Sequence, residues 1–104
     1  MWPHLEVDKT MASPLRKPFI AGNWKMHLTL SESAALAREV RGACSEAGPE
    51  VALCVPFTAI GVVVDAVKGG PVQVGGQNMH WEPQGAFTGE ISARQLVDAG
   101  CKVV

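Results

Sequence analysis

The sequence predicts an α/β fold of parallel strands joined by helical crossovers. Two observations carry this expectation. From Lys17 onward, short apolar runs alternate with longer segments whose apolar residues recur at helical spacing. The run VALCV at 51–55 also lacks polar alternation, as a strand covered on both faces does. A doubly wound sheet and part of a β/α barrel both satisfy the pattern.

The elements follow in order. Residues 18–22 (PFIAG) read as a buried strand ending in a polar loop. Thr29, with Glu32 three residues on, makes a capping box for a helix. Its apolar stripe is Leu36, Val40, Ala43, Cys44 and Ala47, which leaves Glu32, Arg38, Glu39, Arg41 and Glu46 mostly in water until Gly48-Pro49 ends it. The second strand, 51–55, is closed by Pro56. Ile60, Val63, Val64 and Val67 then form a helical stripe, with Thr58 as cap and Gly69-Gly70 as stop. Three consecutive valines suit a strand equally well on propensity, and the helix is chosen because a parallel pair needs a crossover. Residues 72–76 (VQVGG) are a third strand, and 77–90, with Pro83, Gly85 and Gly89, a long polar loop. Ser92 and Gln95 form a second capping box, with Ile91 and Leu96 in hydrophobic-staple positions, and a short helix runs to Gly100. Residues 101–104 begin a fourth apolar run, giving three strand-helix units and the start of a fourth. An open portion of a barrel would leave strand edges unpaired.

Composition excludes several function classes. Nine Lys+Arg against 10 Asp+Glu in 104 residues give a net charge of -1, with the cations spread singly or in pairs among acids, so electrostatic binding of nucleic acid is not expected. The most apolar stretch, 51–64, is broken by Pro56, Thr58 and Gly61 and falls short of a membrane span. With 47% hydrophobic and 18% charged residues, a packed core is favoured over disorder. Cys44, Cys54 and Cys101 are odd in number and have no CxxC spacing, so they read as small buried hydrophobes in a reducing cytoplasm rather than a disulfide framework or metal site. Glu6, Asp8, Lys9 and two prolines occupy the place of a signal peptide's apolar region, so secretion is not expected. Residues 1–15 read as an extension expected to be disordered, with Met1 and Met11 both open as the start, and 16–104 as the folded part.

In parallel β/α folds ligand groups gather at the carboxyl ends of strands, which points first to Asn23-Trp24-Lys25. A lysine ammonium is a compact charge for a phosphate or a developing oxyanion, and Asn23 offers both a donor and an acceptor. On spacing alone, a solvated loop lysine and a packing tryptophan account for the same residues. His27 and His80 lie in no metal-binding spacing and read as exposed or partly packed imidazoles. Glu90, just ahead of the third helix, suits a structural role at that helix's positive end. Gly69-Gly70 and Gly75-Gly76 match neither GxGxxG nor GxxxxGK[ST], which weakens any nucleotide-binding reading.

At FIAGNWKM (19–26), and again at GAFTGEIS (85–92), the sequence closely resembles the amino-terminal part of the triose-phosphate isomerases, and GGQN (75–78) agrees. The resemblance runs from Arg16 to Val104. It implies a (β/α)8 TIM barrel, of which the first three and a half β/α units are present. The implied enzyme, a homodimer of glycolysis and gluconeogenesis, interconverts dihydroxyacetone phosphate and glyceraldehyde 3-phosphate through an enediolate without metal or organic cofactor. Carried over by position, Lys25 is the catalytic cation that helps hold this small phosphorylated triose and stabilises the enediolate oxygen, and Asn23 lines the same pocket. Residues 77–90 resemble the family's dimer loop, in which Thr88 reaches across to support the partner's active site, making Phe87, Thr88 and Glu90 interface candidates.

The departure is in length. Such a barrel takes about 250 residues, the family's catalytic histidine follows strand four just beyond Val104, and its glutamate base follows strand six. A proton shuttle needs base and electrophile together, so this chain alone is expected to be inactive. The alternative from another class is a short non-catalytic module that binds a partner through exposed strand edges and the Thr88 loop.

Overall fold

The computed structural model describes residues 16–104, so the reading of 1–15 as an extension lies outside the described residues. Three parallel strands, β1 (Phe19–Asn23), β2 (Glu50–Cys54) and β3 (Val72–Gly75), lie side by side in chain order. Their register pairs Asn23 with Cys54 and Cys54 with Gly75, so the three carboxyl ends finish level with one another. Helices α1 (Leu30–Ala43) and α2 (Ile60–Val67) make the two crossovers, and α3 (Ala93–Ala99) leads to Val103, which bridges Gly75 in parallel. The alternation of strand and helix is therefore as expected, with a fourth strand begun.

The core lies between the sheet and the helices, where Leu53, Val55, Val72 and Val74 meet Ala37, Ile60, Val63, Val67 and Leu96. β1 departs from the sequence reading of a buried strand, because Phe19 is 50% and Ile20 54% exposed. Only β2 flanks it among the described residues, so one edge of β1 and much of its surface face outward.

α1 has both halves of its capping box: the Thr29 amide donates to Glu32 Oε1 at 2.9 Å and the Glu32 amide to Thr29 Oγ1 at 3.4 Å. It ends at Ala43, short of the expected Gly48-Pro49. Continuing through Ala47 would leave two residues to bring the chain back to Glu50, whose amide donates to Pro18 O at 2.9 Å. Extended backbone therefore begins at Cys44, and the Lys17 ammonium secures the return by donating to Glu46 O. The buried stripe is also displaced. Ser33 and Ala37 are buried and Val40 and Cys44 half-buried, whereas Leu36, Ala43 and Ala47 are exposed. Small residues fill the α1 stripe because it packs closely on α2, where a leucine would hold the two helices apart.

α2 buries Ile60, Val63 and Val67 as its periodicity predicts, and Gly69 in the left-handed conformation (φ 80°) ends it. Thr58 does not cap it. Residues 57–59 wind into a single 3₁₀ turn, which places Thr58 inside the turn and away from the helix amides. α3 carries the second predicted capping box on Ser92 and Gln95 and stops at Gly100, also left-handed (φ 107°). Cys101 is buried and Cys44 and Cys54 half-buried, all as free thiols. Burial raises the Cys54 and Cys101 thiols above their ordinary value, since a thiolate loses its hydration there. Among the described residues, no helix is long and apolar enough to cross a membrane.

Candidate active site at the strand ends

The level carboxyl ends of β1, β2 and β3 bring together residues far apart in sequence. Asn23 closes β1, and the ladder continues one step beyond it because the Trp24 amide donates to Cys54 O at 3.0 Å. Lys25 then leaves the sheet in the left-handed region at φ 56°, a conformation in which its Cβ is crowded by backbone. Asn23 Oδ1 accepts the Lys25 amide at 2.9 Å, a local side-chain bond that holds this turn. From the far side, Gln77 Nε2 donates to Lys25 O at 2.9 Å and to Cys54 O at 3.1 Å. The Lys25 side chain is exposed, and no carboxylate pairs with its ammonium among the described residues. The arrangement presents an exposed positive charge on a backbone turn held from both sides.

Asn23 and Lys25 are thus neighbours in one hydrogen-bonded turn. Gln77 completes it, yet sequence reasoning assigned it no role at the site. Its position immediately after the third strand's two glycines, at a carboxyl strand end, was the available signal. The close approach of β3 to the fourth strand explains the first glycine. A Cβ on Gly75 would lie 2.6 Å from Val103 Cγ2 and 2.7 Å from Val103 O.

Phe87, Thr88 and Glu90 belong to a separate feature. The loop is drawn together at its base, where the His80 amide donates to Ile91 O at 2.7 Å and His80 pairs with Ser92. The His80 side chain is nine-tenths buried, its ring 4.2 Å from those of both Trp81 and Phe87 and its Nδ1 3.9 Å from Glu90 Oε1. The Glu90 carboxylate is therefore directed toward His80. Ser92 Oγ and Gln95 Oε1, not Glu90, bond the first amides of α3, which corrects the placement of that carboxylate at the helix end. Thr88 is exposed in a turn closed by the Glu90 amide on Phe87 O at 2.9 Å. His27 is exposed. A concavity of about 950 Å³ between this loop and α3 includes His80, Phe87, Glu90 and Arg94, but neither Asn23 nor Lys25. It is an open fold of the loop, and the chemistry-bearing turn lies elsewhere.

Parallel β/α units in chain order, their strands ending together beside an exposed lysine, fit a segment of a (β/α)8 barrel, whose sites lie at the carboxyl ends of its strands. The family model described as triosephosphate isomerase matches residues 18–104. The triosephosphate isomerase of Moorella thermoacetica is 47% identical over 90 residues, covering 86% of this chain and 36% of that protein. The triosephosphate isomerase of a Synechococcus species is 49% identical over 96 residues, covering 86% of this chain and 38% of its own. The crystal structure of triosephosphate isomerase from Bartonella henselae superposes with a TM-score of 0.77 at 40% identity, covering 85% of this chain and 37% of that one. The chain belongs to the triosephosphate isomerase family. It spans little more than a third of the length of the relatives it matches.

Proposed function

We propose that the chain supplies the Asn23–Lys25 part of a triosephosphate isomerase active site within a complete (β/α)8 barrel in the cytoplasm. In this reading Lys25 is the catalytic cation. Its ammonium binds the phosphorylated triose and stabilises the oxygen that becomes negative as the enediolate forms. Asn23 lines the same pocket and holds the Lys25 turn. The observation that carries the reading is the Lys25 turn itself: an exposed ammonium at a strand's carboxyl end, on backbone gripped by Asn23 and Gln77. A backbone turn fixed before substrate arrives limits the reorganisation needed to bring the ammonium to the developing oxyanion.

The homodimer belongs to the same proposal. Trp81 is 81% exposed, and Met79 and Phe87 are exposed beside it on the loop that carries Thr88. So much apolar surface on a pinned loop suits a protein partner, with Phe87, Thr88 and Glu90 at the contact.

A coupled assay of the interconversion of dihydroxyacetone phosphate and glyceraldehyde 3-phosphate tests the catalytic assignment in the complete barrel. Lys25→Ala is expected to lower kcat/KM about 10²–10³-fold, the scale of losing one preorganised oxyanion donor. Near-normal kinetics would remove Lys25 from the role.

A further inference from the structure

Gln77 is the polar side chain at the strand ends that the proposed chemistry leaves without a task. We infer that Gln77 is a positioning residue that holds the Lys25 backbone in its left-handed conformation, an inference that rests on the reading of Lys25 as the catalytic cation. A lysine at φ 56° needs external bonds to stay there, since nothing in its own side chain favours the region. Asn23 Oδ1 takes the Lys25 amide, but that bond spans two residues of the same turn and would survive a rotation of the turn as a unit. Gln77 supplies the long-range restraint, reaching Lys25 O across 52 residues of sequence.

The chemistry of the primary amide suits this task. Its two N–H groups donate to two carbonyls, Lys25 O and Cys54 O, so one planar group ties the turn after β1 to the end of β2 from the end of β3. Both partners are acceptors, which fixes the amide nitrogen, and not the oxygen, on this side. Cys54 O also receives the Trp24 amide at 3.0 Å, so the anchor is itself part of the sheet. An asparagine carries the same amide on a side chain one methylene shorter, which sets its N–H groups back from both acceptors, and a hydrocarbon side chain leaves both carbonyls without this donor.

The test is a double-mutant cycle in the complete barrel, with kcat and KM for glyceraldehyde 3-phosphate measured for the parent, Lys25→Ala, Gln77→Met and the pair, and thermal unfolding recorded beside them. Gln77→Met is expected to lower kcat/KM about ten- to hundredfold, the fold-change that two backbone hydrogen bonds represent. In the Lys25→Ala background the same change is expected to alter kcat/KM by less than about twofold, because the group being positioned is gone. An equal loss in both backgrounds, or no loss with Lys25 present, overturns the inference and leaves the Lys25 reading standing. If Lys25→Ala itself has near-parental kinetics, the catalytic reading fails and takes this inference with it. Should Gln77→Met not fold, Gln77→Glu, which keeps the side chain's length but turns an acceptor toward two acceptors, gives the same cycle.

Discussion

Gly75→Ala is expected to be among the most damaging single-methyl additions in the chain. An ideal Cβ at residue 75 would meet Val103 O at 2.7 Å, Val103 Cγ2 at 2.6 Å and Cys54 Sγ at 3.1 Å. Non-bonded carbons rest about 3.5–4.0 Å apart, so the start of the fourth strand must retreat by about 1 Å. Its bonds to β3 and to Gly76 just after it would then fail: the Gly76 amide on Val103 O is already 3.2 Å long, and the Lys102 amide reaches Val74 O at 2.8 Å. Overpacking of this kind costs about 1–3 kcal/mol, and each backbone bond lost adds about 1 kcal/mol, for a total of about 3–5 kcal/mol. Gly61→Ala is the control, since among the described residues no group beyond its chain neighbours and its own helix backbone lies within 4 Å of a Cβ there and the residue is in α2. An alanine at that helical position should stabilise the protein by about 0.5–1 kcal/mol. Urea denaturation followed by far-UV circular dichroism measures both, with unchanged m-values establishing that midpoints report stability. Equal midpoints for the two variants would refute the steric argument, because the substitution is chemically identical and only the surroundings differ.

Two further outcomes can be checked with the same apparatus. Ser92→Ala removes the acceptor of the Gln95 amide at a buried N-cap and should cost about 1 kcal/mol, with Ser92→Asn retaining most of it. Bonds from the Thr29 backbone and side chain lower the Glu32 carboxyl below its ordinary value of 4.5. A depressed folded-state value means that the contribution is present above the ordinary carboxylate range and is lost as pH falls through the lowered value. Stability measured against pH should therefore fall more steeply below 4.5 for the parent than for Glu32→Gln, and parallel curves would sink the assignment.

The parallel alternation was legible because it depends on local signals. Both capping boxes, the valine stripe of α2 and the glycine stops after α2 and α3 are local signals that act within a turn or so of where they sit, whereas the Gly48-Pro49 stop expected for α1 lies beyond the helix end at Ala43. What was not legible depends on approach distance. Ser33 and Ala37 are buried because α1 comes close to its neighbours, and hydropathy ranks Leu36 above both. The 3₁₀ turn at 57–59 absorbs Thr58 for a reason that lies in the path of the chain after Pro56, not in the threonine. At the site, Asn23 and Lys25 were accessible because the carboxyl ends of strands are where ligand groups gather. Gln77 also follows a strand's carboxyl end, but its task stayed hidden because its two partners are backbone carbonyls, which carry no sequence signature.

The narrow neck of the loop, where the His80 amide meets Ile91 O at 2.7 Å, isolates what lies above it from the sheet below. Residues 81–90 leave and return through one point, but Trp81, Phe87 and Glu90 reach back to the His80 ring at that point, so the base of the loop is held by its own side chains. A loop anchored in this way leaves residues 82–86 at its tip open to variation, while the strand ends that carry Asn23, Lys25 and Gln77 keep their register through the sheet itself.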